Sequence, residues 1–107
     1  MKQLTAVQLK EWLDDPGRAR PLLLDVREPW EFDVARIPGA QLMPMRSIPA
    51  RYLELRRDAE IVVVCHHGAR SYQVGLFLEH QGFGNVINLY GGMAAWSRDA
   101  DPATPTY

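Results

Sequence analysis

The sequence predicts an α/β layer fold built on a mainly parallel sheet. Short apolar runs of strand length alternate along the chain with segments of helical character, the pattern of strands joined by crossover helices. The strongest run, Ile61-Val62-Val63-Val64, sets β-branched residues side by side, which suits a strand covered on both faces. Right-handed crossovers then place helices on both sides of the sheet.

The elements follow in order. Thr5-Ala6-Val7-Gln8 is a capping-box pattern, with Thr5 as N-cap and Gln8 at the third helical position. Val7, Leu9, Trp12 and Leu13 give that helix an apolar side, and Asp14-Asp15-Pro16-Gly17 ends it. Leu22–Val26 reads as a buried strand. Pro29 suits the first turn of a helix running to about Ala35. Ile37-Pro38-Gly39-Ala40 is a turn, and Gln41–Met43 a short strand. Ser47 is a candidate cap for a helix that carries Pro49, Tyr52, Leu53 and Leu55. After the strand Ile61–Val64 comes Cys65-His66-His67-Gly68-Ala69-Arg70-Ser71, then a helix over about Tyr72–Gln81, stopped by Gly82. Val86–Leu89 is another strand. Gly91-Gly92 turns the chain into a last helix, Met93–Ser97, and residues 99–107 read as a tail.

Composition narrows the function. A chain of 107 residues is one domain, with a core at about 4–98, and its size suits a monomer. With 47% apolar and 23% charged residues it is expected to fold rather than stay disordered. A net charge of −1 argues against nucleic acid as the main partner. The apolar runs are too short to span a membrane. The first residues lack the apolar stretch of a signal peptide. One cysteine forms no internal disulfide, and a lone thiol fits a reducing cytoplasm.

That cysteine stands at the carboxyl end of the strongest strand, where open α/β sheets bind ligands. Gly68 frees the backbone of the following loop to curl. Its successive N–H groups then form an anion-binding nest, and the next helix aims its positive end at the same place. A thiol there is expected to react as a thiolate open to solvent. Arg70 adds a cation and a planar donor fork suited to an oxyanion. The rival reading is a cysteine that merely fills the core. A zinc site is disfavoured, because adjacent Cys65, His66 and His67 chelate one ion poorly, no second cysteine exists, and His80 lies on the following helix. No metal or cofactor is expected. Arg36, Arg46 and Arg51 are either a basic rim or ordinary solvated surface.

Three segments together resemble the rhodanese family. These are Leu24–Phe32 followed by Ile37-Pro38-Gly39-Ala40, then Cys65–Ser71, then Gly91-Gly92-Met93-Ala94-Ala95-Trp96. The resemblance implies a five-stranded, mainly parallel sheet with helices on both faces. It implies a sulfurtransferase that carries sulfur as a Cys65 persulfide, from a small anionic donor such as thiosulfate to a thiol, cyanide or protein acceptor. His66, His67, Gly68, Ala69, Arg70 and Ser71 would bind the donor. Asp25 and Arg27 would brace the loop, and Trp96 with the two glycines would pack the last helix. Where the family commonly has Gly-His before Ile37, this chain has Ala35-Arg36. Two alternatives stay open. A persulfide carrier for one protein partner would use the same loop. A cysteine-dependent phosphatase has five residues between Cys and Arg, against the four found here, His66 to Ala69.

Overall fold

The computed structural model describes residues 1–107. Its strands are β1 (Lys2–Leu4), β2 (Leu22–Asp25), β3 (Gln41–Leu42), β4 (Ile61–Val64) and β5 (Val86–Leu89). They form one sheet in the order β1-β5-β4-β2-β3, with every neighbouring pair parallel. The helices are α1 (Ala6–Asp14), α2 (Pro29–Val34), α3 (Ile48–Arg51), α4 (Ala69–His80) and α5 (Gly92–Ala95).

Alternation along β4 divides the core. Val62 and Val64 pack with Leu9, Trp12, Met93 and Trp96, on the side of α1 and α5. Ile61, Val63 and Cys65 pack with Ile48, Val74 and Leu78, on the side of α3 and α4. All four residues of β4 are buried, as a central strand covered on both faces requires. No helix is long and apolar enough to cross a membrane.

The α1 capping box is present. Gln8 N donates to Thr5 Oγ1 at 3.1 Å, and Thr5 N donates to Gln8 Oε1 at 3.0 Å. Other elements depart from the sequence reading. β1 has mixed polarity and no periodic signal; it exists through pairing with β5, Lys2 against Ile87 and Leu4 against Leu89. The helix expected after Ser47 is broken into α3 and flanking 3₁₀ turns, Met45–Ser47 and Tyr52–Glu54. The Ser47 hydroxyl donates to the Pro44 carbonyl instead of capping, and Leu53 is exposed. Helix α4 begins at Ala69, earlier than the Tyr72 expected, so half of the cysteine loop is its first turn. Residues 99–107 are not a loose tail. A π-helical turn, Trp96–Ala100, extends α5, Thr104 is buried, and Tyr107 returns to the loops beyond β2 and β4.

Candidate active site

Cys65 directly follows β4, the middle strand of the sheet. Gly68 is the N-cap of α4 at φ +101°, a conformation L side chains rarely adopt. That turn brings the Gly68 N–H to 3.0 Å from the Cys65 Sγ. The N–H groups of His66, His67, Ala69, Arg70 and Ser71 have no acceptor within the protein. These are the free donors expected at a helix N-terminus, and they give the loop its positive potential.

Cys65 is buried, 1% exposed, contrary to the open thiol expected from sequence. It occupies the apolar core on the α4 side. Its hydrogen-bonding neighbours are polar, however: the Gly68 amide and the Ser71 hydroxyl at 3.2 Å. Ser71 Oγ lies 2.5 Å from Asn88 Oδ1, and Asn88 Nδ2 donates to the Gly68 carbonyl at 3.2 Å and to Gln3 Oε1 at 2.9 Å. A carbonyl only accepts, so the Asn88 amide must turn its NH₂ toward Gly68 and its oxygen toward Ser71. The Ser71 hydroxyl proton is thereby directed at Asn88. Asn88 was not singled out from the sequence. Its signal was a lone amide in an otherwise apolar strand, Val86-Ile87-Asn88-Leu89.

The two glycines do more than turn the chain. Met93 N donates to the Cys65 carbonyl at 2.9 Å, and Ala94 N to the His66 carbonyl at 3.0 Å. A Cβ on Gly92 would lie 2.3 Å from the Cys65 carbonyl oxygen. The start of α5 therefore rests directly on the backbone of the cysteine loop.

Arg70, the cation expected beside the loop, is already paired. It makes a bidentate pair with Glu31, Nη1 to Oε1 at 2.7 Å and Nη2 to Oε2 at 3.0 Å. Glu31 is 4% exposed and also accepts from the Glu28 N–H at 3.0 Å and the Tyr107 hydroxyl at 2.8 Å. The Arg70 guanidinium is the largest influence on Glu31, holding its carboxyl down at about 2 against the opposing effect of burial. The same pair raises the Arg70 pKa.

Asp25 and Arg27 form a buried bidentate pair, Nε to Oδ1 at 2.9 Å and Nη2 to Oδ2 at 2.7 Å. Arg27 also donates to the carbonyls of Glu31 and Ala35 and to the Tyr107 hydroxyl. The pair thus fixes α2 and the chain end. Its connections to the cysteine loop run through Glu31 to Arg70 and through Tyr107 to His66. Burial pushes the Tyr107 phenol up to about 12. The Tyr107 ring stacks on His66 at 4.1 Å, and His66 stacks on His67 at 4.1 Å. Burial is also the main cause lowering the His66 pKa. Neither histidine ring hydrogen-bonds the sulfur.

The three arginines of the candidate rim are engaged. Arg46 pairs with Glu28, Arg51 with Glu54, and Arg36 lies over the Phe32 ring. Arg46 and Arg70 line a cavity of about 370 Å³ together with Val26, Glu28 and Met45. On the β1 side of the loop, a second cavity of about 440 Å³ is walled by Gln3, Gly68, Tyr72 and Tyr90. No group of three or more His, Cys, Asp or Glu side chains gathers to hold a metal ion.

Comparison with known proteins agrees with this geometry. Residues 5–99 match the rhodanese-like domain family. A sulfurtransferase of Allochromatium vinosum is 46% identical over 81 residues, covering 76% of this chain and 76% of that protein. A rhodanese-like/PpiC domain-containing chloroplastic protein of Arabidopsis thaliana is 36% identical over 100% of this chain, which spans 38% of its length. The crystal structure of a rhodanese-like domain protein from Staphylococcus aureus superposes with a TM-score of 0.85 at 32% identity, covering 100% of this chain and 99% of that one.

Proposed function

The chain belongs to the rhodanese-like domain family, and on that premise we propose that it transfers sulfane sulfur through a persulfide on Cys65. The thiolate attacks the outer sulfur of a donor. A new S–S bond forms to Cys65, the donor's own bond to that sulfur breaks, and the leaving group departs with the electron pair. The leaving group is sulfite from thiosulfate, or a thiolate from a persulfide. In the second half, a thiol or protein acceptor attacks the outer sulfur and Cys65 leaves, a two-step exchange. Once the thiolate has formed the exchange needs no general base, which fits a loop where the Gly68 amide donates to the sulfur and neither histidine ring does.

One observation carries this reading. The Gly68 N–H donates to Sγ at 3.0 Å, in a loop whose remaining amides lack acceptors. Those amides would bind the transferred sulfur and the departing charge, worth about 2–4 kcal/mol per well-placed donor. Asp25 and Arg27 would support the loop indirectly. The loop from Cys65 to Arg70 is one residue shorter than that of cysteine-dependent phosphatases, a tighter cradle that suits one sulfur atom over a phosphoryl group.

Mass spectrometry after exposure to a sulfane donor tests it. The expected result is one added sulfur atom, located on Cys65, removable by a thiol and absent from Cys65→Ser. Sulfur transfer that survives Cys65→Ser overturns the proposal.

A further inference from the structure

The charges around the loop mouth cancel one for one. Arg70 is matched by Glu31, Arg46 by Glu28, and the buried Arg27 by Asp25. The Arg70–Glu31 match is the one that touches the cysteine loop, and it is bidentate, with the Glu31 carboxylate buried and the Arg70 side chain 37% exposed. Glu31 is held in place from two further sides, by the Glu28 N–H and the Tyr107 hydroxyl. It is therefore a fixed counter-charge for Arg70.

An unpaired guanidinium attracts a dianion twice as strongly as a monoanion at the same distance. Once a carboxylate sits against it, that preference collapses to the difference between two opposed charges. What remains at the mouth is the partial positive charge of the loop amides and the α4 N-terminus, roughly half an elementary charge. Such a potential draws a dianion about half as strongly as a free guanidinium would, so it separates doubly charged from singly charged donors less.

We infer that Glu31 is a specificity-determining residue: by balancing Arg70 it biases the site toward alkyl persulfides and away from the thiosulfate dianion as sulfur donors. This rests on the reading of Cys65 as the sulfur acceptor. In the favoured step the Cys65 thiolate attacks the outer sulfur of R–S–SH. The proton stays on that sulfur, the R–S bond to it breaks, and RS⁻ leaves with the electron pair. With thiosulfate the same attack releases sulfite, and the incoming dianion meets a guanidinium already balanced by Glu31.

The test compares kcat/KM for glutathione persulfide and for thiosulfate, with a common thiol acceptor, at low and high salt. The native protein is expected to prefer the persulfide, with little salt dependence for either donor. Glu31→Gln keeps the side-chain shape and unpairs Arg70. It is expected to raise kcat/KM for thiosulfate about tenfold, with a new salt dependence, and to change the persulfide value far less. Arg70→Gln leaves Glu31 unbalanced and is expected to move the donor ratio the opposite way. Opposite shifts from two substitutions in one pair separate charge selection from simple damage to the loop, which would lower both donors together in both variants. A ratio that stays constant, or moves the same way in both, overturns the inference. If Glu31→Gln does not fold, as judged by circular dichroism, the direction of the Arg70→Gln shift decides. Sulfur found on Cys65 from either donor with an unchanged ratio defeats the donor bias alone. Transfer that persists in Cys65→Ser defeats the underlying reading instead.

Discussion

Gly92 is the position where a single methyl group should do most damage for its size. A Cβ there would lie 2.3 Å from the Cys65 carbonyl oxygen, 2.5 Å from the His66 carbonyl oxygen and 2.6 Å from the His66 carbonyl carbon. All three atoms are backbone, so no flexible side chain can swing away. The residue also sits at φ +56°, where alanine costs about 1 kcal/mol relative to an ordinary conformation. The chain escapes the clash by lifting α5 off the loop, losing the Met93-to-Cys65 and Ala94-to-His66 hydrogen bonds, at about 1 kcal/mol net each. Gly92→Ala should therefore lose about 3 kcal/mol, or roughly 15 °C in Tm for a domain of this size. A domain stable by about 5–15 kcal/mol survives that loss at room temperature. The loop can then be assayed in folded protein, where a displaced cysteine backbone is expected to slow sulfur loading by roughly a hundredfold. Thermal unfolding followed by circular dichroism reads the first number, and the rate of persulfide formation on Cys65 reads the second. Gly84→Ala is the control: its backbone has no positive φ and nothing lies within 4 Å of the added methyl. A Gly92→Ala protein that melts within about 2 °C of the native one and loads sulfur at the native rate would refute the reasoning.

Two further outcomes are expected. Asn88→Leu removes the acceptor for Ser71 and the donor for the Gly68 carbonyl and Gln3. It leaves buried polar groups unpaired and should cost about 2–3 kcal/mol in chemical denaturation, together with slower alkylation kinetics distinct from those of Gln3→Ala. Glu31 titrates at about 2 when folded, below the ordinary carboxylate value, so its contribution is complete above that ordinary value and is lost as pH falls through the folded one. Stability measured from pH 5 down to pH 2 should fall by about 3 kcal/mol more in the native protein than in Glu31→Gln; parallel curves would show that the pair stabilises nothing.

Much of the fold was legible because its signals are local. The Thr5–Gln8 box, the β-branched run of β4 and the glycine before α4 each declare an element within a few residues. β1 was missed because Lys2-Gln3-Leu4 carries no pattern of its own and becomes a strand only through β5. The cysteine loop was identified from its residue types and its position after a strong strand. Its electrical state was not, because the partner of Arg70 lies 39 residues earlier, on α2. Tyr107 was placed in a tail for the same reason: its hydroxyl meets Arg27 across 80 positions of sequence. Sequence patterns report what a segment does to itself, whereas these contacts are created by the crossovers that bring distant loops to one end of the sheet.

Consider how such a sheet is made by a ribosome. The opening strand waits for a partner, Ile87–Leu89, that is synthesised more than eighty residues later. The Asn88 amide that links Gln3, Gly68 and Ser71 arrives with that same partner. The glycine pair that clamps the cysteine backbone emerges later still. An unfinished chain can contain the thiol but none of the late-arriving contacts that position it, so the thiol and its scaffold come together only once β5 and the glycines after it are in place.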